Sequence, residues 1–237
     1  MTARIRLVFG GCLGIASFVL GAGRAEAAYS WPNKEAPPPE MREKSNELQV
    51  LYSLSDIRLR NTRLVSTSSP TPLPSTGTVT VQSFFDIFTE ISINGGASFS
   101  PVAAYHAPSQ LSYTTTDGVD YGTEMKNLSG TLQTALGPVF IRESPTKLST
   151  GHTTIGGGGG GGGYQIDSFF DVFTELSFDG GQSWTPQWGI VYDNGGGGTL
   201  VVQDAPMRVE GVPEPGTVAL LIAGALCAAG YLWRRKK

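Results

Sequence analysis

Four carboxylates have the spacing most suggestive of chemistry. Asp86 and Glu90 lie four apart in one stretch, and Asp171 and Glu175 lie four apart in a near-copy of it. In an extended strand such residues share a face but stand roughly 13 Å apart, at about 3.3 Å per residue. One strand alone therefore forms neither an acid–base pair nor a chelate. Two such strands side by side could bring carboxylates to about 5 Å, near the separation used by retaining glycosidases. Like charges directly opposite also destabilise a sheet, so the leading reading is a solvated strand face with interleaved phenylalanines. A calcium site and a catalytic pair are the alternatives. His106 and His152 have no acid at metal-ligand spacing, and Ser144 and Ser183 sit in turn-like sequence without a nucleophile–base signature. Trp31, Trp184, Trp188 and Tyr192 could stack on sugars, although packing is the preferred reading for the last three. The expectation is a non-enzymatic chain with no catalytic residue, no resident metal and no cofactor, calcium being the one ion considered.

The elements that would position these groups follow from an internal repeat. Residues 83–101 recur at 168–186, with 12 of 19 positions identical. Val79, Val81, Phe85, Ile87, Ile91 and Ile93 alternate on one face, as do Ile166, Phe170, Val172, Leu176 and Phe178 in the second copy. Period two with β-branched and aromatic residues predicts strands. Phe84, Asp86, Phe88 and Glu90, with Phe169, Asp171, Phe173 and Glu175, take the opposite, more exposed face. Each copy then reaches a pair that tolerates positive φ, Asn94-Gly95 or Asp179-Gly180, which predicts a hairpin turn.

The second turn resembles the Asp-box, Ser-x-Asp-x-Gly-x-Ser/Thr-Trp. Ser177, Asp179, Gly181, Ser183 and Trp184 match it throughout; Ser92, Asn94, Gly96, Ser98 and Phe99 match with two conservative departures. The resemblance implies a structural turn formed by Asn94, Gly95 and Gly96 in one copy and Asp179, Gly180, Gly181 and Trp184 in the other. The acid would accept backbone hydrogen bonds and the aromatic ring would pack beneath. Asp-boxes occur in sialidases, but a sialidase also needs several blades and an arginine cluster, and 78–207 holds only Lys126, Arg142 and Lys147 as bases.

Further strands are expected around 54–59, 111–116, 124–132, 138–142 and 199–203, with extended linkers at Pro37-Pro38-Pro39 and 66–76 and a short helical turn over 41–47. The glycine runs at 156–163 and 195–198 have neither a following Lys-Ser/Thr nor a helix to open, which removes phosphate-loop logic. A lone hairpin is marginal, so both repeats must bury their apolar faces. The expected fold is all-β, an antiparallel sandwich-like domain over 78–207, preceded by a Pro/Ser-rich segment over 28–77 with one strand and followed by a linker at 208–212.

The two ends belong to export. Arg4 and Arg6, an apolar run and Ala25-Glu26-Ala27 form a signal peptide over 1–27, with Ala25 and Ala27 at the signal-peptidase site. Seven of the 17 Lys and Arg and two of the 20 Asp and Glu lie in the two ends, so 28–212 carries ten bases, 18 acids and a net charge of −8. That balance argues against nucleic acid as a partner. Both cysteines, Cys12 and Cys227, also lie in the ends, which removes disulfides and thiol chemistry from the segment between. At the C-terminus Pro213-Glu214-Pro215 precedes an apolar run over 217–233, and Arg234-Arg235-Lys236-Lys237 closes the chain. The run is about 25 Å long as a helix, enough to cross a bilayer with its basic end inside.

This order of elements over 213–237 resembles the PEP-CTERM sorting signal of Gram-negative bacteria, with Pro213, Glu214 and Pro215 as its motif. The resemblance implies an exosortase-type protease as partner and membrane attachment through the helix before processing. It implies an inner-membrane intermediate and a final place in the envelope, surface or extracellular matrix. Tyr121-Gly122-Thr123-Glu124-Met125 and Ile141-Arg142-Glu143-Ser144-Pro145-Thr146, together with the repeats, resemble a recurrent secreted module of proteins carrying that signal. A structural or interaction role is the first expectation for residues 28–212; a carbohydrate-binding module for exopolysaccharide is the alternative.

Overall fold

The computed structural model describes residues 29–31, 33–45, 48–52, 56–135, 137–157, 164–193 and 199–212. Ala25 and Ala27, the sorting residues Pro213, Glu214 and Pro215, and the expected helix over 217–233 lie outside these residues. The short strands β1 (Tyr29–Trp31), β2 (Glu35–Ala36), β3 (Glu40–Glu43), β4 (Leu48–Tyr52), β5 (Arg58–Ser66) and β6 (Thr71–Pro72) come first. Three long strands follow: β7 (Gly77–Ser92), β8 (Ser100–Thr115) and β9 (Asp120–Thr134). The chain then forms β10 (Gly137–Glu143), β11 (Ser149–Gly157), β12 (Tyr164–Val172), β13 (Thr174–Ser177), β14 (Thr185–Asp193), β15 (Thr199–Gln203) and β16 (Met207–Gly211).

The architecture is all-β and antiparallel. Among the described residues, fourteen strands share one continuous ladder, with β2 and β6 forming a separate ribbon. In place of two separately bonded sheets, the ladder closes on itself through β5, β7, β8, β9, β11, β12, β16, β3 and back to β5. Closure leaves fewer exposed strand edges than an open sheet of these strands would. A branch through β4, β14, β13 and β10 joins Arg58–Arg60 of β5 to Ser129–Thr134 of β9. The branch is possible because long strands change partners at bulges. In β5 the register shifts between Arg60 and Arg63, where Asn61 has φ of 54°.

Alternation of apolar residues builds the core. Phe85, Ile87, Ile91, Phe170, Val172 and Leu176 are all buried, and the Phe170 ring meets Tyr113 edge-on with centroids 6.3 Å apart. Glycine permits one close approach: a Cβ at Gly151 would lie 2.0 Å from the Phe169 carbonyl oxygen, so only a bare backbone lets β11 lie against β12.

Several expectations need correction. Ile93 and Phe178, expected to face inward, are 49% and 44% exposed, because the strands end at Ser92 and Ser177 and both residues already belong to the turns. Where a short helical turn was expected over 41–47, residues 41–43 lie in β3, with Met41 buried, and 46–47 lie outside the described residues. The described residues of 28–77 supply six strands where one was expected, and 208–212 is mostly β16, whose Val209 is fully buried. Proline-rich composition conceals these strands because their hydrogen bonds go to distant partners.

Candidate functional site

The two repeated turns have the same wiring. Ser177 Oγ donates to Asp179 Oδ1 at 2.8 Å and accepts from the Gly181 N–H at 2.8 Å. Asp179 Oδ1 also accepts from the Gln182 and Ser183 N–H groups, and the Ser183 hydroxyl donates to Oδ2. In the first copy Ser92 Oγ donates to Asn94 Oδ1 and accepts from the Gly96 N–H, while the Ser98 N–H donates to Asn94 Oδ1. Gly95, Gly96, Gly180 and Gly181 have φ between 69° and 90°, the left-handed region open to glycine. The hydroxyl and amide donors around Asp179, Ser183 foremost, hold its carboxyl at about 2. An acid so fully used as an acceptor is a structural clamp.

Most of the acids and rings on the outer faces of the repeats meet a cationic side chain from a neighbouring segment. Arg60 Nε donates to Glu90 Oε2 at 2.7 Å, and its guanidinium lies 3.8 Å from the Phe99 ring centroid. One repeat later, Arg142 donates twice to Glu175 Oε2 and lies 3.9 Å from the Trp184 ring. Arg63 covers Phe88, and Lys147 covers the equivalent Phe173. Arg208 grips both oxygens of Asp171 and covers Phe169. Asp86 instead accepts from the His106 N–H at 2.8 Å, with the His106 ring stacked on Phe84. At Arg60, Arg142 and Arg208 a repeated acid and an aromatic ring thus share one partner, combining ion pairing with cation–π contact.

This arrangement bears directly on the four acids. The ladder partners of β7 are β5 and β8, whereas β12 pairs with β1, β11 and β16. The repeat strands are therefore not neighbours, and the cross-strand approach of Asp86 and Glu90 to Asp171 and Glu175 is absent among the described residues. Among those residues no group of three or more His, Cys, Asp or Glu side chains is placed to hold a metal ion. Glu175, expected on an exposed face, is 6% exposed. Arg142, itself stacked on the Trp184 ring, pairs with it, and the Ser144 hydroxyl donates to its Oε1.

A second buried carboxyl, Glu43, gave no sequence signal. It is 7% exposed, its Oε2 accepts from the Thr62 N–H at 2.9 Å, and Oε1 has no hydrogen-bond partner among the described residues. Burial raises its pKa to about 8 against the opposing backbone hydrogen bonds of Thr62 and Asn61. Nearby in the interior, Tyr52 and Thr174 share a 2.6 Å hydrogen bond, and Thr174 also reaches Gln187.

The aromatic candidates separate. Trp184 is half-buried, its indole N–H donating to the Gly181 carbonyl at 3.1 Å. Trp188 and Tyr192, expected to pack, are 42% and 37% exposed on β14. Trp31 lies in β1, which pairs with β12. Tyr105, absent from the sequence reading, is 68% exposed and borders a groove of about 840 Å³ between β8 and the β9–β10 pair. Trp184 stands on the same groove.

Comparison with known proteins locates one feature. Residues 211–236 match the PEP-CTERM protein-sorting motif. No curated protein and no solved structure matches the chain. The motif supports export and exosortase sorting, and its match begins at Gly211, the last residue of β16.

Proposed function

We propose that this chain is exported, sorted through residues 211–236 and cleaved by an exosortase-type protease, after which residues 28–212 serve a non-enzymatic structural or interaction role in the envelope or extracellular matrix. The single observation that carries the sorting is the motif match at 211–236. Support for the non-enzymatic role comes from the repeated acids. Asp171, Glu175 and Glu90 are each neutralised by an arginine, and Asp86 is occupied by a backbone N–H. A general acid or base needs a carboxylate with a free oxygen directed at a substrate, and both oxygens of Asp171 and of Glu175 are engaged in holding the structure together. Removing 213–237 and fractionating cells tests the sorting: the expected result is loss of the processed, envelope-associated form. Unchanged attachment and unchanged processing would overturn it.

The exposed aromatic side chains of Tyr105, Trp188 and Tyr192 favour a second reading, binding of exopolysaccharide. Retardation of the protein in gels containing the producing cell's own polysaccharide is the expected result. Equal mobility with and without polysaccharide would leave the structural role alone.

A further inference from the structure

The groove beside β9 is built from a regular set of unused polar groups. A bulge at Lys126, where the partners step from Gln110–Asn127 to Leu111–Met125, reverses the inward face of β9. Before it Tyr121, Thr123 and Met125 are buried; after it Leu128 and Leu132 are. The reversal turns Asn127, Ser129, Thr131 and Gln133 outward on one face, at alternate positions over about 20 Å. All four border the groove, and none of their side chains makes a hydrogen bond among the described residues. Amide and hydroxyl groups both donate and accept, so this row offers paired donor–acceptor sites with no net charge.

The opposite wall exists because β8 and β9 part company. Their ladder runs from Thr114–Gly122 to Ser109–Leu128 and ends there, while β8 continues to Ser100 paired with β7. Small residues hold the two strands in contact at the groove floor: a Cβ at Gly130 would lie 3.1 Å from that of Ala104 and 3.2 Å from that of Ala107. That contact obstructs the addition of a further strand there, which disfavours an extended peptide as occupant. Aromatic surface flanks the polar row. Phe140 is the cross-strand partner of Thr131, Trp184 lies over Arg142 beside Ser129, and Tyr105 stands on the β8 side.

Charge narrows the ligand. The Arg142 guanidinium is committed to Glu175, Lys126 lies 3.8 Å from Glu124, and Glu143 adds a carboxyl to the groove. An anionic polymer would meet little unopposed positive charge, within a segment that is acidic overall. We infer that the groove binds an uncharged oligosaccharide chain several sugars long, whose hydroxyls bond to Asn127, Ser129, Thr131 and Gln133 and whose ring faces lie on Tyr105 and Trp184. This inference rests on the second reading above and assigns it a site and a ligand class.

The test is calorimetric titration of the full chain in detergent with cellohexaose, mannohexaose and xylohexaose as neutral probes and hexagalacturonate as the acidic one. At least one neutral hexamer is expected to bind. Tyr105→Ala and the double variant Asn127→Ala/Gln133→Ala should each weaken it at least tenfold without shifting the melting temperature, and Trp188→Ala should leave it unchanged. Failure of all three neutral probes, preference for hexagalacturonate, or binding undiminished in both groove variants would overturn the assignment. A Trp188→Ala effect with intact groove variants would retain glycan binding but remove it from this groove. Envelope fractionation of the groove variants should be normal, so a failure here leaves the sorting result untouched.

Discussion

Replacing Glu43 with glutamine should change how stability depends on pH far more than it changes stability itself. The Glu43 carboxyl is held at about 8 by burial, against an ordinary value of 4.5. Between pH 4.5 and 8 the folded protein therefore keeps a proton that the unfolded chain has released, and stability falls as pH rises through that window. Each unit of difference is worth about 1.4 kcal/mol, so the full window amounts to roughly 5 kcal/mol as an upper figure. Glutamine is close to isosteric with the protonated acid and retains an acceptor for the Thr62 N–H, so at pH 5 the two proteins should agree within about 1 kcal/mol. Urea unfolding at intervals from pH 5 to pH 9 supplies the measurement. The difference between variant and wild type should grow by about 1.4 kcal/mol per unit and level off above pH 8. Taking the difference removes the parallel contribution of Glu143, whose carboxyl is raised to about 7 chiefly by burial. A difference that stays flat over this range would refute the buried, protonated Glu43.

Two further substitutions compare the arginines that serve equivalent acids of the repeats, and two more lie elsewhere in the fold. Arg142→Ala leaves Glu175 buried without its cation and should cost about 3 kcal/mol, whereas Arg60→Ala, opposite a Glu90 side chain that is 31% exposed, should cost less than about 1 kcal/mol in the same denaturation assay. Gly151→Ala would place its Cβ 2.0 Å from the Phe169 carbonyl oxygen and should destabilise by about 3 kcal/mol or prevent folding, read from soluble yield and melting temperature. Val201→Lys lies on β15, whose five residues are all exposed, so stability should stay within about 0.5 kcal/mol of wild type.

Local sequence carried a good part of this structure. Strand faces were legible because side chains alternate at every second residue wherever the strand goes, and Phe85, Ile87, Phe170 and Val172 are buried accordingly. The two turns were legible because the Ser, Asn/Asp and Gly positions that close them lie within five residues. The sorting motif was legible because its order of elements is linear in the chain. Strand alternation stopped informing at Ile93 and Phe178, where the turn begins.

Partnership between distant strands was decided only by the tertiary structure. Nothing near Glu175 in sequence marks Arg142 as its partner 33 residues away, nor Arg208 as the partner of Asp171. Burial of Glu43 likewise depends on β3 lying between β5 and β16. The polar row on β9 was invisible for a related reason. Asn127, Ser129, Thr131 and Gln133 carry no charge or hydrophobic pattern, and they acquire meaning only because β8 diverges and leaves a groove in front of them. Period and turn chemistry act over a few residues, whereas pairing, bulges and closure of the ladder are properties of the whole chain.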